Sequence, residues 1–386
     1  FIVRLNLTHM KNIEHIYIHI PFCQTKCPYC DFYSISSNNE SLKNKYVKTI
    51  LEELELYDDI ISQDIKSIYI GGGTPNSLSI KTLTKLLSGL SQKLNITKET
   101  EFTIELNPGS ITEDKLRLFK QFGINRLSIG SQSFLLNELH TLGRTHSPKD
   151  IYTAFETARK LGFENINLDL IFSIPGQTIN SLIYSVNKLM ELDPEHISAY
   201  MLTYYEQTIF HELLLNKKIK KIDDDVEGEY YDFIKEIFKS YGYEHYELSN
   251  FCKPGMGSKH NINTWNFGSY LGFGASAHSF SNNIRWSNHN LVKNYIDLKL
   301  TKYPNKILLD PKDKKNEFVM LGLRKLSGVS LDSYYNTFSQ SLLSDFDSKI
   351  EKYLKNNLLI LNETNLCINP EHINIYNTIV SDVLLD

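Results

Sequence analysis

Three cysteines fall within one short stretch, Phe22-Cys23-Gln24-Thr25-Lys26-Cys27-Pro28-Tyr29-Cys30-Asp31-Phe32. Their spacing, C-x3-C-x2-C, lets three thiolates from one loop converge on a single centre. Iron–sulfur clusters are held by cysteine thiolates, usually four for a cubane. Three ligands would fix three irons and leave the fourth open. A structural zinc site wants four ligands and commonly pairs one C-x2-C with a second. No second pair occurs here. His19, inside a strand-like run, is expected to be packed or exposed rather than a fourth ligand. Core filler suits three cysteines poorly in a loop flanked by Pro21 and Pro28. Iron–sulfur therefore ranks first, zinc second and core filler last. Cys252 and Cys367 are isolated and read as small buried hydrophobes. An odd, clustered set without a secretory signal argues against a disulfide framework. It argues for metal binding in a reducing compartment, the cytoplasm.

Further polar residues recur at regular places. Short β-branched or aromatic runs cover 16–20, 67–70, 102–106, 126–129, 165–171 and 196–202. Amphipathic stretches over 42–61, 80–94, 113–122, 150–161 and 180–192 lie between them. Strands alternating with helices predict βα units and a parallel sheet. The cysteines follow the first strand, and Gly71-Gly72-Gly73-Thr74-Pro75 follows the second. Glu105-Leu106-Asn107-Pro108 comes at the third and Gly130-Ser131-Gln132-Ser133 at the fourth. Asp169 lies near the end of the fifth, and Thr203 follows the sixth. In βα barrels the active site is built at the carboxyl ends of the strands. Six strands each contributing there fit a partial or complete (β/α)6 TIM-like barrel, an α/β fold, better than an open sheet with one crevice. A helix over 227–240 and a strand over 243–248 follow, then an irregular Gly-, Asn- and aromatic-rich segment over 252–278. Long irregular stretches in compact domains tend to be functional. A smaller, mainly helical domain is expected over 286–386, behind a barrel domain with its extension over 14–285.

The cysteine loop after a first strand resembles the radical-SAM superfamily. In that family the open iron binds the amino and carboxylate groups of S-adenosylmethionine (SAM), and a 5′-deoxyadenosyl radical forms. The cofactor would carry the hard chemistry while the protein positions it. Gly71–Pro75 resembles the segment that contacts the methionyl part of SAM, which marks Gly72, Gly73 and Thr74. A tight strand-to-helix turn is the alternative for these glycines. The stretches around Glu105, 123–134, 142–146 and 167–175 resemble oxygen-independent coproporphyrinogen III dehydrogenase (oxidase) and its haem-chaperone relatives. That resemblance gives Glu105, Gln132, Arg144 and Asp169 contacts to the ribose, amino-acid or sulfonium parts of SAM. It places Tyr17 beside the cluster and adds Phe32 to the SAM-binding set. Phe172 and Ser173 depart from the more usual His-Gly of that motif. His260-Asn261-Ile262-Asn263-Thr264-Trp265 resembles the HNxxYW element of the chaperone branch and nominates His260 as a haem ligand. A histidine held in a polar loop network is its rival.

The two branches differ near the cluster. The dehydrogenase carries a further cysteine, C-x3-C-x2-C-x-C, where this chain has Phe32, and a longer segment ahead of the first strand. The resemblance therefore implies a haem chaperone binding a [4Fe–4S] cluster, SAM and haem, with coproporphyrinogen III dehydrogenase as the alternative. Its partners would be haem, haem-accepting proteins and an electron donor such as flavodoxin or ferredoxin. A third possibility is a methyl- or sulfur-transferring enzyme acting on RNA or a metabolite, of which an RNA-modifying member would need a basic face or an added module. The net charge of −4, with acids and bases mixed, offers no footprint for nucleic acid. No apolar run reaches membrane-spanning length, so no membrane span is expected. Met10 is expected to be the natural start, with 1–13 a tail.

Overall fold

The computed structural model describes residues 12–385, so Met10 lies outside the described residues. The chain begins with β1 (His15–Ile20). A parallel two-strand ladder follows, β2 (Phe22–Cys23) against β3 (Ile35–Ser36), which closes the ends of the cysteine loop. Then come α1 (Glu40–Glu55), β4 (Ser67–Gly72), α2 (Ile80–Lys93), β5 (Glu101–Leu106) and α3 (Glu113–Gln121). The alternation continues through β6 (Arg126–Gln132), α4 (Leu136–Thr141), α5 (Pro148–Lys160), β7 (Asn165–Phe172), α6 (Ile179–Leu192) and β8 (His196–Met201). All six expected strands are present and pair in parallel, in the order β1-β4-β5-β6-β7-β8.

Period-two alternation explains why these strands carry a site. Ile16, Ile18 and Ile20, then Ile68 and Ile70, Ile104 and Leu106, Leu127 and Ile129, and Leu168 and Leu170 are each at most 4% exposed. They pack outward under the helices. The alternate residues, such as Tyr69, Glu105, Ser128 and Asp169, turn inward and line the interior. The helices begin at side-chain caps: Ser79 accepts from Thr82 N, Thr112 from Lys115 N, and Ser147 and Asp150 form a capping box.

The remainder differs from the expectation in detail. The stretch after β8 holds α7 (Ile209–Leu215) before α8 (Asp224–Ser240). β9 (Glu244–Glu247) and β10 (Asn250–Cys252) extend the sheet antiparallel beyond β8. The segment read as irregular contains α9 (Lys259–Trp265) and β11 (Leu271–Phe273), which pairs in parallel with β1 at the other edge. Three residues centred on Gly272 carry no alternation to read. The pairing is made by tertiary packing, with the chain folded back so tightly that a Cβ on Gly272 would lie 2.1 Å from His278 O.

β12 (His278–Ser281), β13 (Ile284–Ser287) and β14 (Ile307–Leu308) form a small antiparallel sheet, with α10 (Val292–Asp297) between the last two. The boundary expected at 285–286 falls inside β13. The C-terminal region is helical, with α11 (Pro311–Leu323), α12 (Leu331–Phe338), α13 (Leu342–Lys355) and α14 (Tyr376–Val383). It also holds a three-stranded sheet of β15 (Val329–Ser330), β17 (Asn365–Ile368) and β16 (Leu359–Leu361). Buried Glu53 ties α1 to the turn after β11 by accepting from Gly274 N, Asn288 Nδ2 and Tyr295 OH.

Candidate functional site

The carboxyl ends of the strands open into a cleft of about 610 Å³ that runs from the cysteine loop to the C-terminal region. Of the residues singled out from the sequence, all but Tyr17 and His260 line it: Cys23, Cys27, Cys30, Phe32, Gly72, Gly73, Thr74, Glu105, Gln132, Arg144 and Asp169.

The three thiols are free, partly exposed and gathered at one end. Among the described residues, no three His, Cys, Asp or Glu side chains gather on one ion-sized point. Thr74 Oγ1 donates to Cys23 Sγ at 3.6 Å, and Arg144 Nη1 donates to Cys27 Sγ at 3.7 Å. Burial pushes the Cys30 thiol up to about 11 and raises Cys23 as well, opposed at Cys23 by the Thr74 hydroxyl. A metal held by these thiols would displace their protons. Soft sulfur donors on a short loop, open to a cleft, fit an iron–sulfur cluster. Phe32, 65% exposed, stands at the rim beside them.

The glycine run is shaped by the protein as much as by a ligand. Gly72 has φ +111, and a Cβ there would lie 2.4 Å from the His19 ring. A Cβ on Gly73 would lie 2.9 Å from Ile20 O and 3.0 Å from Cys23 Sγ. The run is a close-packed turn, and Gly72, Gly73 and Thr74 also line the cleft. Gly72 N donates to Glu105 Oε2 at 2.8 Å and Tyr69 OH to Glu105 Oε1 at 2.9 Å. Burial nevertheless lifts the Glu105 carboxyl to about 7. Burial likewise raises Asp169 to about 6, against the 2.7 Å bond from Asn167 Nδ2.

Arg144 is held over the cysteine end of the cleft by its Nη2 bond to Gly130 O at 3.0 Å, and its Nε is buried without a hydrogen-bond partner among the described residues. Gln132 sits at φ +65 where β6 breaks register with β7. Such a left-handed conformation is uncommon for a residue with a Cβ and concentrates at functional sites.

Tyr17 lies deeper than the cleft wall. Its hydroxyl pairs with His19 Nδ1 at 2.9 Å, and its ring stacks at 6.3 Å on Tyr69. His19 also reaches Tyr33 O through Nε2 at 2.9 Å, so both ring nitrogens are used and it is packed, as expected.

His260 is at the opposite end of the barrel from the cysteines. It is 8% exposed in the first turn of α9, with Nδ1 3.0 Å from Ser67 Oγ at the start of β4. Its ring lies 5.3 Å from the Tyr69 ring. The first turn of α9 grips the Glu101 carboxylate through Lys259 N and His260 N, at 2.9 and 3.1 Å. The HNxxTW element thus plugs the barrel floor. The structure does not bring His260 into the cleft, although its neighbour Asn261 lines it.

Several cleft residues were not singled out from the sequence: Arg126, Ser128, Asn167, Ser198, Tyr200 and Arg324. Asn167 joins Ser128, Asp169, His196 and Ser198 in one hydrogen-bonded group. The readable signal was periodicity, since Asn167 precedes Asp169 by two residues on the same face of β7.

Comparison with known proteins agrees with this architecture. Residues 17–189 match the Radical SAM superfamily, and residues 309–372 match the HemN C-terminal domain. The chain is 38% identical to the heme chaperone HemW of Bacillus subtilis (strain 168) over 354 residues, covering 90% of this chain and 93% of that protein. It is 33% identical to the heme chaperone HemW of Lactococcus lactis subsp. lactis (strain IL1403), covering 96% and 97%. In fold it is similar to the radical SAM enzyme coproporphyrinogen III oxidase (HemN) from Escherichia coli, with TM-score 0.83 over 97% of this chain and 91% of that one, at 21% identity. A barrel whose first loop offers three thiols to a cleft, with full-length likeness to these proteins, shows that the chain belongs to the radical SAM superfamily and, within it, to the HemW family.

Proposed function

We propose that this chain is a haem chaperone of the cytoplasm, which binds haem beside a [4Fe–4S] cluster and SAM and passes it to haem-accepting proteins. Cys23, Cys27 and Cys30 would hold the cluster. Gly72, Gly73 and Thr74 would face the methionyl part of SAM, and Glu105, Gln132, Arg144 and Asp169 its amino-acid and ribose groups. Phe32 would flank SAM at the rim, and Tyr17 would support the site from below through Tyr69. When bound, the cluster and SAM supply one-electron chemistry, which calls for a donor such as flavodoxin or ferredoxin. Among the described residues no helix is long and apolar enough to cross a membrane.

The observation that carries the chaperone reading over the dehydrogenase is residue 32. The dehydrogenase pattern places a cysteine there, whereas this chain presents an exposed phenylalanine at the cleft rim. The likeness to the oxidase supports a shared fold, while the closer sequence likeness is to chaperones. The test is anaerobic reconstitution followed by haem titration and coproporphyrinogen III turnover on the same sample. Haem binding with a shifted Soret band and no turnover is expected. Robust decarboxylation would replace this reading with the dehydrogenase.

A further inference from the structure

One cation in the cleft is used by none of the contacts above. Arg126 opens β6, two positions before Ser128 on the inward face. It lines the cleft, yet the residue is only 2% exposed. Its Nε is buried without a hydrogen-bond partner, and its guanidinium makes no hydrogen bond or ion pair with any described residue. Glu105 and Asp169 lie near enough to feel its charge, but neither bonds it: Glu105 accepts from Tyr69 OH and Gly72 N, and Asp169 from Asn167. A buried guanidinium whose donors are left unbonded is unfavourable unless a ligand supplies the acceptor. A guanidinium is built to receive a carboxylate through two parallel hydrogen bonds.

The carboxylate of SAM is not the one that fits. Arg144 already serves the cluster end, bonded to Gly130 O and Cys27 Sγ. Arg126 lies four residues before Gly130 along β6, roughly 13 Å away at the rise of a strand. Two arginines at opposite depths of one cleft suit two ligands. The same cleft is lined by Tyr200 and Met201 of β8 and by Tyr376 of α14. Those faces suit a flat apolar body. The Ser128 hydroxyl accepts from Asn167, which leaves its own hydrogen free to donate beside Arg126.

We propose that Arg126 is the carboxylate-binding residue for the second ligand of the cleft, and that it receives a propionate arm of the porphyrin. This rests on the haem-handling reading above. It assigns haem an orientation, with propionates inward at the floor and the macrocycle against the aromatic wall.

The test compares two porphyrins on protein reconstituted with cluster and SAM. Iron protoporphyrin IX and its dimethyl ester are titrated separately and followed at the Soret band. The unmodified chain should prefer the diacid by about ten- to a hundredfold, the range of a charge-assisted hydrogen bond. Arg126→Gln should lose that preference while keeping its affinity for the ester. Arg126→Lys should recover part of it, because the charge returns without the fork. Equal binding of diacid and ester by the unmodified chain overturns the proposal and leaves the haem-handling reading standing. So does an undiminished preference in Arg126→Gln. If neither porphyrin binds, the haem-handling reading falls and takes this proposal with it. Should Arg126→Gln not fold, the comparison on the unmodified chain and on Arg126→Lys decides.

Discussion

Asn167 and Asp169 share the inward face of β7, and the Asn167 amide donates to the Asp169 carboxylate at 2.7 Å. The same amide donates to Ser128 Oγ at 2.8 Å. Its oxygen pairs with His196 Nδ1 at 2.7 Å and accepts from Ser198 Oγ at 3.1 Å. Burial keeps His196 neutral. Its Nδ1 then carries the proton toward Asn167, and its Nε2 accepts from Tyr246 OH at 2.8 Å. Asn167 thereby uses all its hydrogen-bonding capacity and fixes the carboxylate proposed to meet SAM. Asn167→Ala should weaken SAM binding about tenfold, and unpairing the buried Ser128, His196 and Ser198 should cost roughly 2–4 kcal/mol of stability. Cluster iron should stay unchanged. Calorimetry with SAM and a thermal melt check both effects, and unaltered SAM affinity would remove Asn167 from the positioning role.

The cysteines make a sharper division. Reconstituted protein should carry about four irons per chain, as a cubane requires. Cys23→Ala, Cys27→Ala and Cys30→Ala should each abolish the cluster. Cys252→Ala and Cys367→Ala should retain it, since Cys252 is buried in β10 and Cys367 Sγ donates to Ile360 O within its own small sheet. Iron analysis and the charge-transfer absorption measure this. A cluster that survives loss of Cys27 would refute the three-thiolate site.

The barrel and the cysteine end of the cleft are legible in the sequence because both are written locally. Six strands alternate along the chain, and the chemistry-bearing residues follow their carboxyl ends within a few positions. β11 was not legible, since its three residues become a strand only by lying beside β1. The place of His260 was not legible, because the HNxxTW element reads as a polar loop while its geometry is set by Glu101, distant in sequence, capping α9. Arg126 and Asn167 sit at strand starts and middles, where local pattern says only that they face inward. Their partners, or the absence of one, are properties of the assembled barrel.

Two buried carboxyls should make SAM binding depend on pH. Burial holds Glu105 at about 7 and Asp169 at about 6. In the unfolded chain both titrate near about 4. Between those limits the folded chain holds the extra protons, so these groups make stability fall as pH rises through the window. Glu53, lifted by burial to about 7, acts in the same direction on stability but lies outside the cleft. A cationic ligand such as SAM favours the ionised carboxylates, so its binding should strengthen about tenfold from about pH 5.5 to about pH 7.5 and release protons. Calorimetry in buffers of different ionisation enthalpy measures this. Glu105→Gln combined with Asp169→Asn should flatten the profile. An affinity already flat in the unmodified chain would show that burial does not hold these carboxyls protonated.

Ser173 offers a stability test at the edge of the site. It follows β7 with φ +62, and the residue is fully buried. Its N–H donates to Gln177 Oε1 at 2.8 Å, which pins the turn, while its Oγ is buried without a partner. The family motif resembled here carries glycine at this position. The preceding Phe172, in place of the motif's histidine, stacks on Tyr231 at 6.0 Å and holds the turn from the other side. A side chain in the left-handed region costs about 1–2 kcal/mol, and an unsatisfied buried hydroxyl adds about 1–3 kcal/mol. Glycine removes both, but it frees the unfolded chain and leaves a small void, which together return part of the gain. The balance favours glycine by about 1 kcal/mol, worth about 2 °C in Tm for a chain of this size. Ser173→Val should move Tm the other way, because a β-branched residue tolerates positive φ worst. SAM affinity should be untouched in Ser173→Gly, since the backbone bond to Gln177 survives the change. A lower Tm for Ser173→Gly would mean that the serine hydroxyl is engaged in solution and holds the turn itself.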